Sequence, residues 1–228
     1  MRIIVSAAVS LDGFLADSGP RRLVLSSEAD LAAVYRLRAE SDAILVGAET
    51  VRRDDPSLAT RHADLFELRR LRGAASHPIK AVITRSGDLP PGSRFFSDGD
   101  ATKLVFCVSG TAPALEQRLG SRALVVPVAQ DTVTARSVVT TLADRGVSQL
   151  MIEGGARTIE LFLREGLVDT IRLAIAPVVC GARGTVRLFT DAASQLAERG
   201  RIVLARLESR GDTAVLWYEL ERGGGDVR

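Results

Sequence analysis

The stretch Gln149-Leu150-Met151-Ile152-Glu153-Gly154-Gly155-Ala156-Arg157-Thr158-Ile159 constrains this chain more than any other part of it. An apolar run long enough for one buried strand ends on a carboxylate. Two glycines follow, then an amphipathic helix with Ile159, Phe162 and Leu163 on one face and Gly166 as its stop. Strand, glycine turn and helix N-terminus together form an anion cradle. Backbone N–H groups and the positive end of the helix dipole face outward, and no Cβ blocks a close approach. A phosphate-bearing cofactor is expected there, with Glu153 beside it at the carboxyl end of a sheet, where open α/β sheets bind ligands. The motif is not the G-x-G-x-x-G fingerprint, and the same residues also serve as a tight connection whose glycines only permit the turn.

A chain of 228 residues suits one large α/β domain or two small ones. Hydrophobic residues at 46% and charged residues at 25% are ordinary for a globular protein. Thirty basic against 28 acidic residues, net +2, argue against a nucleic-acid surface, and the predominance of Arg suits bidentate phosphate or carboxylate contacts. Cys107 and Cys180 stand alone in apolar, strand-like runs, which predicts core packing in a reducing compartment. Two His and two unpaired Cys offer no zinc set, so no metal is expected. Ile3 to Val9 reads as a first buried strand rather than a signal segment, and no run approaches a membrane span. These features predict a cytoplasmic protein without nucleic-acid or membrane partners.

Strand-like and helix-like segments alternate throughout. Ile3–Val9, Ala43–Val46, Ala81–Thr84, Leu104–Val108, Leu124–Val128 and Thr170–Val179 read as strands. Ser27 opens a helix with Asp30 in capping-box position and Leu31, Val34 and Leu37 as its buried stripe. Gly47 begins a short helix that ends before Asp54-Asp55-Pro56. Further helices fall near Pro113–Leu119 and Thr134–Asp144, and Ile202–Glu208 faces Val215–Leu220 across a hairpin turn at Arg210-Gly211-Asp212. Arg61–Ser76, with Arg69, Arg70 and Arg72, reads as a solvated helix face and loop. The order predicts an α/β fold: a mostly parallel central sheet, helices on both faces and a C-terminal antiparallel hairpin, in one domain over residues 1–222 with a disordered tail at 223–228.

Four clusters fall at or beyond strand C-termini: Ser10-Leu11-Asp12-Gly13, Gly47 through Thr50 to Arg61, Thr84-Arg85-Ser86-Gly87, and Glu153-Gly154-Gly155. In a doubly wound sheet such loops share one rim and can line a single cleft. Together with Leu37-Arg38-Ala39-Glu40-Ser41-Asp42-Ala43-Ile44-Leu45-Val46-Gly47, Thr50-Val51-Arg52-Arg53-Asp54-Asp55-Pro56-Ser57-Leu58 and Leu167-Val168-Asp169, they resemble the reductase domain of riboflavin biosynthesis, across nearly the whole chain and in the same order.

That resemblance implies a dihydrofolate-reductase-like fold, a stand-alone reductase without the deaminase half, and a homodimer formed through sheet-edge strands. The long apolar strand Thr170–Val179 would be an aggregation hazard if left uncovered. It also implies NADPH delivering a hydride to the ribose C1′ of a phosphoribosylamino-pyrimidine, either 5-amino-6-(5-phosphoribosylamino)uracil or its 2,5-diamino-pyrimidinone analogue. By the same resemblance Thr50 and Asp54 would contact the nicotinamide half, and Gly154, Gly155, Ala156, Arg157 and Thr158, in a run extending to Leu161, the diphosphate. Ser86 and Arg85 would lie near the adenosine 2′-phosphate, Arg being the physical choice for NADPH over NADH. Arg38 and Arg61, with Ser57 and the backbone near Leu58, would hold the phosphorylated substrate. Glu153 would contact its pyrimidine or ribose and, with Asp54, is the candidate catalytic carboxylate. Two positions depart from the family pattern: Ser6 stands where bifunctional bacterial enzymes tend to have Lys, and Val24 where they have an aromatic. The alternatives are a dihydrofolate-, pterin- or natural-product-type reductase on the same fold, and a non-catalytic NADPH-binding protein.

Overall fold

The computed structural model describes residues 1–19, 23–189 and 200–222, so the expected tail at 223–228 lies outside the described residues. The strands are β1 (Arg2–Ser10), β2 (Phe14–Asp17), β3 (Ala43–Gly47), β4 (Ile79–Ile83), β5 (Lys103–Val108), β6 (Leu124–Ala129), β7 (Gln149–Ile152), β8 (Thr170–Ala176), β9 (Gly184–Arg187), β10 (Gly200–Arg210) and β11 (Thr213–Arg222). The helices are α1 (Glu28–Glu40), α2 (Ala48–Asp54), α3 (Ala63–Leu71), α4 (Arg94–Ser97), α5 (Ala112–Leu119), α6 (Ala135–Ala143) and α7 (Ala156–Arg164).

Nine strands form one sheet in the order β10-β11-β8-β1-β7-β3-β4-β5-β6, parallel from β8 to β6, with β11 and β10 added antiparallel. This is the arrangement expected from the alternation of elements. Apolar positions on successive strands separate to two faces, as the period of two requires. Ile3, Val5, Leu45, Leu104 and Phe106 pack with Val138, Leu142, Ile159 and Phe162 of α6 and α7. Ile44, Val46, Val82 and Val105 pack on the opposite face with α2, α4 and α5. Ile4 and Met151 meet Leu37 of α1 beside them.

Several details depart from the sequence reading. The Ser27 Oγ accepts the Asp30 N–H at 3.2 Å, so the N-cap is present. The Asp30 carboxylate turns instead to Arg172, and Leu31 is 38% exposed, so the buried face of α1 runs through Asp30, Leu37 and Ala39. Arg69 is not solvated: it is buried and donates to the carbonyls of Ala39, Ser41 and Ala75, tying α3 to the end of α1. β8 is covered by β1 and β11 and stops at Ala176, so the open edge on that side belongs to β10. Cys107 lies in β5, but Cys180 sits in the turn after β8 rather than in a strand. The small β2–β9 sheet had no clear signal, because its strands are four residues each.

Candidate functional site

The chain builds β3, β4, β5 and β6 outward in one direction, then returns to lay β7 on the other side of β3. That reversal leaves a crevice outside the carboxyl ends of β7 and β3, where doubly wound sheets bind ligands. Because β1, β7, β3 and β4 are parallel neighbours, all four sequence clusters reach the same rim.

Two strand–glycine–helix connections meet in the crevice. The Gly47 N–H donates to the Gly154 carbonyl at 3.1 Å, locking the β3–α2 turn to the β7–α7 turn. A Cβ on Gly47 would lie 2.6 Å from the Thr158 Oγ1. Gly155, at φ +82°, would bring a Cβ within 3.2 Å of Thr158 Oγ1 and 3.4 Å of both Gly47 Cα and Thr50 Oγ1. Glycine is therefore required at this approach for steric as well as conformational reasons. The first turn of α7 presents N–H groups left over by helix geometry, although that of Thr158 already donates to the Gly155 carbonyl at 2.8 Å. Further along α7, Ile159 is in the core and Leu161 packs against it. Thr158 is itself buried, and its side chain packs between the two turns.

Glu153 and Arg38 are joined by two parallel hydrogen bonds, Nε to Oε1 and Nη2 to Oε2, both 2.6 Å. Their side chains are only 9% and 14% exposed. Burial opposes the charge on Arg38, but the Glu153 carboxylate outweighs it and raises the guanidinium above its ordinary value. The Tyr35 ring lies 5.3 Å from the same guanidinium. A carboxylate in such a fork is an acceptor, not a proton donor.

The segment after α2 forms the other wall. Asp55 (φ +42°) and Leu58 (φ +54°) both adopt left-handed backbone, which costs a non-glycine residue about 1–2 kcal/mol. Leu58 spends it on burying its side chain, and no sequence signal marks a leucine for that conformation. Asp55 Oδ1 accepts the Arg94 N–H at 2.6 Å, and Ser57 bonds the Asp98 carboxylate, so the Ser57 hydroxyl is occupied by the protein. Arg61 is exposed at the end of this segment, and half-buried Asp54 closes α2 at its start. Fully buried Lys80 donates to the carbonyls of Phe95 and Asp98. Burial lowers its ammonium to about 8, and Lys103, Arg38 and Arg61 add repulsion that Asp98 only partly offsets. Lys103, Arg38 and Arg61 thus place Lys80 in a net positive field.

On the β4 side, Thr84 Oγ1 accepts the Gly87 N–H at 3.0 Å, and this turn leaves Arg85 and Ser86 exposed at the rim. Asp12, a turn former by sequence, accepts from the Ser10 hydroxyl at 2.6 Å and from the N–H groups of Cys180 and Gly181. Ser6, where the family pattern has Lys, faces a cation from the next strand: Arg172 stands opposite it in the β1–β8 register, its Nη1 3.5 Å from the Ser6 Oγ. Val24 is exposed. Among the described residues no cluster of His, Cys, Asp or Glu could hold a metal.

A two-faced, mostly parallel sheet with a glycine-lined crevice and a buried Glu–Arg pair at its reversal point defines an α/β protein whose candidate site lies at the carboxyl ends of β7 and β3. Residues 1–216 match the RibD C-terminal domain family, and the chain belongs to it. It is 37% identical over 182 residues to the 2,5-diamino-6-ribosylamino-4(3H)-pyrimidinone 5′-phosphate reductase of Archaeoglobus fulgidus, covering 79% of this chain and 82% of that one. The protein of the same name from Methanothermobacter thermautotrophicus is 30% identical over 220 residues, covering 96% and 98%. Among solved structures, Acinetobacter baumannii RibD superposes with a TM-score of 0.79 at 22% identity, covering 96% of this chain and 58% of that one. The chain therefore spans little more than half of that RibD structure but nearly all of the Methanothermobacter reductase. The dihydrofolate-reductase-like fold expected from the sequence is the one these structures share with it.

Proposed function

We propose that this protein is an NADPH-dependent oxidoreductase that reduces a phosphoribosylamino-pyrimidine to its ribitylamino product. The 2,5-diamino-pyrimidinone form is preferred over the deaminated one, because the relatives named above carry the diamino substrate in their names. The observation that carries the reading is the meeting of the Gly47 and Gly154-Gly155 turns beside the Glu153–Arg38 pair.

Two features support a dinucleotide here: the glycines let the two turns close on each other and on Thr158 without side chains between them, and α7 offers N–H groups to a diphosphate. Gly154, Gly155, Ala156, Arg157 and Thr158 would hold that diphosphate, Thr50 and Asp54 the nicotinamide half, and Arg85 with Ser86 the 2′-phosphate. When bound, NADPH supplies the hydride, so the protein's work is alignment and exclusion of water. Arg61 and the field around Lys80 draw the substrate phosphate, with Ser57 and Leu58 fixing the backbone that carries it. Arg38 holds Glu153 in a two-bond fork, from which its carboxylate can accept from ribose hydroxyls or pyrimidine N–H groups, and water is the proton source we take. Binding energy from the remote phosphate is then available to align the reacting carbon.

We further take residues 1–222 as one reductase unit that works as a cytoplasmic homodimer. The β10 edge supports the dimer, with Ile202, Leu204 and Leu207 exposed on a strand that has no partner on its outer side among the described residues. No helix among the described residues is long and apolar enough to cross a membrane. NADPH oxidation measured with the diamino and deaminated phosphoribosylamino-pyrimidines and with dihydrofolate tests the reading. Turnover is expected with the phosphorylated pyrimidines only. Turnover with dihydrofolate alone, or NADPH binding without any turnover, would overturn it.

A further inference from the structure

The segment from Asp55 to Arg61 is held from beneath by a residue that no motif marked. The Thr60 N–H donates to Nδ1 of His77 at 3.1 Å, and the opposite ring nitrogen, Nε2, lies 3.3 Å from the Asp100 carboxylate. The His77 side chain is 10% exposed, and the Phe66 ring packs edge-on against it with centroids 5.3 Å apart. Gly99, at φ +71°, closes the third side, where a Cβ would come within 3.0 Å of Nε2. A ring that accepts at Nδ1 and meets a carboxylate at Nε2 carries its proton on Nε2 and is neutral. Adding a proton at Nδ1 would set an N–H against the Thr60 N–H, and a buried backbone donor would lose its acceptor.

We infer that His77 is a positioning residue for substrate binding: its neutral ring fixes the backbone one residue before Arg61, and its protonation releases that segment and weakens the hold on a phosphorylated ribose. The inference rests on the proposed role of Arg61 in binding phosphate. The charged groups around the ring are Asp100 on one side and Lys80, Arg69 and Lys103 on the others. Burial first, and then the three cations, keep the imidazole below its ordinary value of 6.5 against the pull of Asp100. The Thr60 bond is thus present above that range and lost as the pH falls through the folded-state value.

Ribose 5-phosphate is the probe, titrated by protein-observed NMR between pH 5 and 8 on the parent, His77→Asn, His77→Leu and Arg61→Ala. Asn places a carbonyl oxygen near the position of Nδ1 but does not titrate. The phosphate itself loses its second charge near pH 6, so the informative quantity is the difference between parent and His77→Asn. The expected result is a parent affinity that falls about three- to tenfold more than that of His77→Asn on acidification, the worth of one hydrogen bond. The Thr60 amide shift should follow the His77 titration, and His77→Leu should bind weakly at every pH. Coincident curves for parent and His77→Asn, or a Thr60 amide that ignores His77, would overturn the inference even if Arg61→Ala binds poorly. Unchanged binding by Arg61→Ala at pH 8 would overturn the phosphate role of the segment, and the inference with it.

Discussion

Two buried arginine–carboxylate pairs pin the two ends of α1, and they differ in how far water can reach them. Near its start, Asp30 meets Arg172 of β8 with the two side chains 0% and 2% exposed, and the Trp217 ring lies 5.8 Å from the guanidinium. Near its end, Arg38 meets Glu153 of β7 at 14% and 9% exposure, at the mouth of the crevice. The sealed pair is imperfect, since Asp30 Oδ2 has no hydrogen-bond partner among the described residues. The pair at the crevice is a complete two-bond fork. The difference teaches how surroundings can divide similar chemistry: the more deeply buried pair ties α1 to β8, while the pair at the crevice keeps part of its surface within reach of a ligand.

Breaking the sealed pair should have the largest effect. Asp30→Asn or Arg172→Met leaves one buried charge alone and is expected to cost about 3–5 kcal/mol in urea denaturation. The double variant Asp30→Leu/Arg172→Met should recover most of it. A double variant as unstable as the singles would show that the pair itself, rather than the stranded charge, carries the stability.

Breaking the accessible pair should register mainly in turnover. Arg38→Ala or Glu153→Gln is expected to lose about 1.5–3 kcal/mol of transition-state binding, roughly ten- to more than a hundredfold in kcat/KM, with NADPH affinity nearly unchanged. Steady-state kinetics paired with fluorescence titration of NADPH checks both halves of that statement.

How much of this was legible in the sequence follows from how local each feature is. The cradle could be read because strand, glycines and helix are contiguous from Gln149 to Arg164. The Arg38–Glu153 fork could not, because 115 residues separate its partners. Arg69 read as a solvated cation, Lys80 and Arg172 drew no reading at all, and only the folded surroundings supply their carbonyl and carboxylate partners. His77 carries no local mark at all, since its meaning comes from a backbone N–H seventeen positions earlier.

Gly155→Ala sharpens the comparison from the cofactor side. The left-handed backbone alone costs alanine about 1–2 kcal/mol, and the added methyl meets Thr158, Gly47 and Thr50. NADPH should bind more weakly while phosphorylated ribose binds as before, which calorimetry with each ligand separately would reveal.

The smallest effect is expected at Asp12, a carboxylate held by hydrogen bonds with no arginine. The Ser10 hydroxyl first, then the Cys180 N–H, lower its carboxyl from 3.8 to about 2 against a small opposing effect of burial. A depressed carboxyl stabilises the fold above its unfolded value, so this contribution is whole above pH 4 and is lost as the pH falls from there towards 2. Asp12→Asn should flatten that part of the stability–pH curve, and melting curves between pH 2 and 5 would detect it.

The order of the sheet also sets a timetable for synthesis. β3, β4, β5 and β6 are neighbours in space and in sequence and can pair as they leave the ribosome. β1 finds its partners only in β7 and β8, with Ile3 opposite Leu150 and Ile4 opposite Thr170. At ordinary translation speeds of about 5–20 residues per second, that apolar strand waits roughly 7–30 seconds for β7. β7 is the piece that slots between the early half and the waiting strand, and it carries Glu153 and the two glycines at its end. The crevice therefore cannot form before β7 and its glycines have been synthesised, and ligand cannot assist the folding of the strands made earlier.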